Sequence, residues 1–183
     1  MRNKIKMSAG FTLLELMLVI GIAGLILTMG IPSFMDSVKS NRLATRANEL
    51  VTALNLARSE SIKRGLRITV CKSTTGSSCL TTGSNWTAGW IVFTDQNNNA
   101  VYDSASETLL RVQANQASNI TMNGTTNIAN YVSYVASGRS QLIAGSTQAG
   151  NITVCDDRIG NVGIDLEINT VGRVRTTRSI ACP

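Results

Sequence analysis

The run GRVRTTR, residues 172–178, places three arginines within six positions, and a guanidinium presents a rigid fork of donors that fits phosphate or carboxylate. If the run is a strand, Arg173 and Arg175 project from one face while Val174 turns to the core. The two cations then stand roughly 7 Å apart, close to the step between phosphates along one DNA strand. Arg178 lies further along, and Arg139, Arg158 and Lys72 extend the patch if the fold gathers them. A second arrangement stays open. IDLEIN precedes GRVR by a short turn, and a hairpin with Leu166 opposite Val174 would set Glu167 against Arg173 and Asp165 against Arg175. Such cross-strand ion pairs contribute roughly 0.2 to 1 kcal/mol each and would neutralise much of the patch.

Other chemistries find less support in the residues. The chain has no histidine, which removes Ser-His-Asp and Cys-His nucleophile systems and the H-E-x-x-H zinc site. Asp156 and Asp157 are adjacent, so on a strand their carboxylates face opposite ways and do not converge as an acid/base pair. DQNNNAVYD puts Asp95, Asn97, Asn99 and Asp103 at alternating positions like those of a calcium loop. Ala100 then stands where the turn glycine belongs and Ser106 where the bidentate glutamate belongs, and asparagine-rich turns need no cation. No metal or cofactor is expected. Trp86, Trp90 and Phe93 read as core residues, since GWIVFT is apolar on both faces. No recognition helix, RNP motif or stacking platform would read bases. The expected protein is therefore not an enzyme but an assembled component that works through packing and surface contact.

These residues need elements to hold them, and the chain begins with a basic leader, MRNKIKMSAG, against a long apolar run. From Phe11 to Met35 the only ionisable side chain is Glu15, and 25 residues of helix would span about 37 Å, enough to cross a bilayer. An ordinary signal peptide has a shorter apolar region and a small-residue cleavage site, and an acidic residue inside a membrane helix costs about 2.5 to 3.5 kcal/mol. Arg2, Lys4 and Lys6 keep the leader on the cytoplasmic side. Helical periodicity continues through Leu43, Ala47, Leu50, Leu54 and Ala57, with Lys63 and Arg64 in the last turn and Gly65 as cap. Pro32 after Gly30 should kink or locally melt this helix.

Beyond Gly65 the period changes to two. LRITVCK, GWIVFT, TLLRVQ, YVSYVA, NITVC, GIDLEIN and GRVRTTR are strand-like runs separated by Gly, Asn, Ser and Thr, while Gln113 to Asn130 fits either a loop or weak edge strands. The fold class is α+β, one long N-terminal helix against an antiparallel β domain. The divisions are a leader at 1–10, a membrane helix at 11–36, the packed half of the helix at 37–64 and a β-rich head at 65–183. Four cysteines in an exported head suit disulfides, expected as Cys71 with Cys79 across a small-residue hairpin and Cys155 with Cys182 pinning the C-terminus. Past residue 36 the chain carries 14 basic and 9 acidic side chains, an excess that permits nucleic-acid binding without requiring it.

G followed by FTLLEL resembles the class III signal of type IV prepilins and type II secretion pseudopilins. The resemblance implies cleavage by a prepilin peptidase after Gly10 and methylation of Phe11. It also places Glu15 at the acidic fifth mature position, where a neighbouring subunit's Phe11 amino group can pair with it during assembly. GWIVFTDQNNNAVYDSASETLLR, YVASGR and the late GRVR narrow the resemblance to the GspH/FimT group of minor pilins and pseudopilins. Gly172, Arg173, Val174 and Arg175 match the GRxR motif associated with FimT-type pilins that bind DNA during natural transformation of competent bacteria. The implied partners are DNA, other major and minor pilins, the peptidase, and the inner membrane before assembly into a filament at the cell surface. The alternative is a structural minor pilin or pseudopilin that primes or caps a pilus or type II secretion pseudopilus without touching DNA.

Overall fold

A computed structural model of the chain describes residues 10–83, 85–114 and 119–183. The leader cations Arg2, Lys4 and Lys6 lie outside them, as do residues 115–118 of the polar stretch. The chain divides after Lys39 into two compact units.

Helix α1, Leu13–Arg64, supplies residues to both units. In the first unit it opens on a cap: the Thr12 hydroxyl accepts the Glu15 amide at 3.2 Å. Thr12 and Glu15 thus have the spacing of a capping box, with the carboxylate in the first turn at the positive end of the helix dipole. The side chains that follow, Leu14, Leu18 and Ile26 among them, are mostly exposed, and this segment reaches a mean hydropathy of 2.3 over a window long enough to cross a membrane. Of the kink or local melting expected at Pro32, the melting does not occur. α1 runs unbroken through it, since proline deletes one hydrogen bond from a ladder otherwise intact on both sides.

In the second unit the same helix buries a stripe. Leu43, Ala47, Leu50, Ala53, Leu54 and Ala57 are each at most 1% exposed, and fully burying a leucine stabilises by about 1.5 to 3 kcal/mol. Their partners come from two four-stranded antiparallel sheets. One comprises β1 (Ile68–Lys72), β2 (Gly89–Thr94), β3 (Leu109–Ala114) and β5 (Tyr131–Tyr134) in the order β3-β2-β1-β5. The other comprises β4 (Thr121–Gly124), β6 (Gly150–Cys155), β7 (Gly160–Ile168) and β8 (Val174–Cys182) in the order β4-β6-β7-β8. Ile68, Val70 and Val92 of the first sheet and Ile152, Val154, Leu166 and Ile168 of the second share one core with the helix stripe. The polar stretch left open by the sequence thus contains the end of β3 and the edge strand β4.

Strand β2 is buried along its whole length. Trp90 and Val92 join the main core, whereas Ile91 and Phe93 join Cys71 in a smaller cluster on the other face, closed by Cys79 and Tyr102. The asparagine-rich loop after β2 is held by its own side chains. The buried Asp95 carboxylate accepts the amides of Asn99 and Ala100 and the Thr69 hydroxyl, so its lone pairs serve the loop.

Both disulfides pair as the cysteine positions suggested, Cys71 with Cys79 and Cys155 with Cys182. They close loops of 8 and 27 residues, and loop entropy assigns them about 2.5 and about 3.5 kcal/mol respectively. Replacing Cys155 and Cys182 by serine should therefore destabilise the head by about 1 kcal/mol more than replacing Cys71 and Cys79, read from urea unfolding of the two variants; equal losses would refute the ranking.

Candidate functional site

The β7–β8 turn is set by two residues. The Asn169 side-chain oxygen accepts the Arg173 amide at 2.8 Å, and its carbonyl accepts the Gly172 amide at 2.9 Å. Gly172 takes φ +78°, the left-handed conformation of a bulged hairpin loop. A side chain there would also collide, because a Cβ would lie 2.4 Å from the Gly138 carbonyl oxygen. Gly172 is thus the contact point between this turn and the turn that carries Arg139.

Arg58 of α1 ties the two turns together. Its Nε donates to the Gly138 carbonyl at 2.9 Å and its Nη2 to the Val171 carbonyl at 3.2 Å. The buried Tyr134 ring lies beneath, and burial pushes its phenol well above the usual range. Sequence reasoning passed over Arg58; its one signal is a cation beside Ala57, at the border of the buried stripe. Arg158, at the other end of the head, donates to Ser40 at 3.1 Å. Ser40 and Arg58 are about 27 Å apart along the helix, so the GRVR turn occupies the end of the head remote from residue 40.

The tight loop fixes the register. Ile168 pairs with Val174, Glu167 with Arg175 and Asp165 with Thr177, so the expected pairing of Leu166 with Val174 is displaced by two residues. Neither of the expected ion pairs forms. Asp165 instead accepts from the Asn151 amide and, at 3.4 Å, from the Thr153 hydroxyl. Glu167 and Arg175 face each other without reaching ion-pair distance, and among the described residues no salt bridge involves Arg173, Arg175 or Arg178. All three arginines are exposed. Val174 packs against the core, as its position between Arg173 and Arg175 suggested. Glu167, Asn169, Arg173 and Arg175 line an open cleft of about 330 Å³.

The patch is smaller than the sequence allowed. Arg139 is exposed on the turn whose neighbours Gly138 and Ser140 touch Gly172, but it does not line the cleft. Arg178 pairs in register with Ile164, on the face opposite Arg175. Lys72 does not extend the patch: it is 1% exposed, donates to the Thr82 and Gly83 carbonyls, and burial lowers its pKa. Arg158 does not either, because its guanidinium grips Asp156 at 2.7 Å near Ser40. Of the residues expected to serve processing and assembly, Gly10 and Phe11 are exposed ahead of α1 and Glu15 lies in its first turn. The described residues contain no group of histidine, cysteine and carboxylate side chains able to hold a metal.

A family described as "Type II transport protein GspH" matches residues 46–172, more than half of the chain. The chain belongs to the GspH family. It is a minor pilin or pseudopilin of the GspH type. "Pilin-like protein PilA1" of Thermus thermophilus is 37% identical over 100 residues, which make up 54% of this chain and 55% of that protein. The match thus spans about half the length of this curated relative. The type IV minor pilin FimU of Pseudomonas aeruginosa PAO1 shares the fold in two crystal forms. One has a TM-score of 0.56 at 21% identity, covering 77% of this chain and 92% of FimU; the other has 0.54 at 20%, covering 74% and 93%. The long helix and two antiparallel sheets of the GspH-type chain are a pilin fold, and its apolar N-terminal segment is compatible with membrane anchoring.

Gly172→Ala should cost about 1 to 3 kcal/mol of stability, because alanine must enter a left-handed conformation against the Gly138 carbonyl. Thermal unfolding of the variant checks this; an unchanged Tm would show that the turn accommodates a side chain.

Proposed function

We propose that this GspH-type protein is a minor pilin that holds DNA through Arg173 and Arg175, with Arg139 at the edge of the same turn pair and Arg178 as a separate contact. One observation carries the reading: two exposed guanidiniums stand at a tight turn at the remote end of the head, with no carboxylate within ion-pair distance among the described residues. Binding through them is electrostatic and independent of sequence, as phosphate contacts are. Several copies acting together would give a useful grip from weak single contacts. Leader cleavage after Gly10, methylation of Phe11 and pairing of Glu15 with a neighbour's amino group belong to the same reading, as does passage from the inner membrane to a filament during natural transformation.

The family match supports a second reading. It covers residues 46–172 and stops before Arg173 and Arg175, so the shared character lies in the packed head rather than in the arginines. On that reading the protein primes or caps a pilus or secretion pseudopilus, and its exposed turns meet other subunits.

Titration of the full-length protein in neutral detergent micelles with random-sequence duplex DNA separates the two. With about three phosphate contacts per subunit, log affinity should fall with log salt at a slope of roughly −2.7. Arg173→Gln with Arg175→Gln should weaken binding and flatten that slope by about 1.8, while Arg178→Gln alone should remove at most one contact. No binding at low salt by the folded wild-type protein would favour the structural role.

A further inference from the structure

The arginine cleft contains its own opposing charge. Glu167 is exposed, lines the cleft with Arg173 and Arg175, and sits directly across the strand pair from Arg175. Cβ atoms of such a pair are about 5 Å apart, yet no ion pair within 4.0 Å forms between these two side chains. The carboxylate therefore adds little to the strand pairing that a direct salt bridge would give. It does place a negative charge where a phosphate would approach.

Building on the DNA reading above, we infer that Glu167 attenuates the cleft and keeps phosphate binding weak and readily reversed. The neighbouring carboxylate Asp165 is engaged by Asn151 and Thr153, which leaves Glu167 as the acidic side chain lining this cleft. An incoming phosphate meets two guanidiniums and one carboxylate, so attraction is reduced without removing the fork geometry that orients the ligand. At roughly 7 Å in water the repulsion between two unit charges corresponds to a factor of about three in affinity. Such a device suits a protein that must release each segment of a strand as the next is taken up. A pair of unopposed arginines would hold on longer, since affinity is tuned mostly through dissociation.

The test compares wild-type full-length protein in neutral micelles with Glu167→Gln and Glu167→Asp, using a random duplex of about 30 base pairs over a salt series, long enough for several phosphate contacts. Thermal unfolding of each variant confirms the fold. Removal of the charge in Glu167→Gln should tighten binding about threefold at low salt, chiefly through slower dissociation. The advantage should shrink as salt screens the site, and Glu167→Asp should stay within about twofold of wild type. Wild-type binding with Glu167→Gln equal or weaker overturns the inference and leaves the DNA reading in place. Binding by Glu167→Gln alone also overturns the inference, since Glu167 would then block the cleft instead of attenuating it, and removes the DNA reading for the native protein. Binding by neither overturns both.

Discussion

The buried stripe of α1 is what the head is built around. Leu43, Ala47, Leu50, Leu54 and Ala57 recur on one face of the helix, and both sheets place their apolar side chains against it. Both four-stranded sheets contribute to the core that covers that face, and a helix with one wide apolar stripe is stable in water only when covered. The same helix is apolar and exposed before residue 36, so one continuous element changes from a membrane-compatible surface to a packed one. The sheets then determine where each hairpin ends. In particular, packing brings the β7–β8 turn to the end of the helix where Arg58 can reach it.

From that constraint the site follows by short steps. Asn169 and Gly172 make the loop tight, and Arg58 locks it to the Arg139 turn through two carbonyls. Tight looping sets the register, which separates the two acids: Asp165 is occupied by polar neighbours and Glu167 is left facing Arg175. The charge of the remote end therefore results from local turn geometry as much as from composition. Buried cations elsewhere, such as Lys72, contribute nothing to it because their charge is spent on backbone carbonyls.

Much of this was legible in the residues. Alternating apolar positions marked seven of the strands, the three-and-four spacing marked the helix stripe, and cysteine placement suggested both disulfides. What was not legible depends on loop conformation and long-range contact. A strand pattern does not reveal register, because sliding by two keeps every side chain on its face; only the Asn169 cap and the left-handed Gly172 decide between the alternatives. Lys72 looked like surface charge because burial of a long side chain depends on a loop at Thr82 and Gly83 that periodicity cannot place. Arg158 looked available to the patch because only the loop conformation after β6 folds its guanidinium back onto Asp156, two residues away.

The proposed reading makes a spatial claim, that DNA would meet this protein at the paired turns around Gly172. Chemical-shift mapping of isotopically labelled full-length protein in neutral micelles, titrated with a short duplex, tests that location directly. Shifts should concentrate at residues 138–140 and 167–178 and at the Arg173 and Arg175 side-chain Nε–H signals, leaving the Cys71–Cys79 loop and the Arg158 region unmoved. Saturating DNA that shifts those distant regions instead, or shifts nothing, would contradict the account.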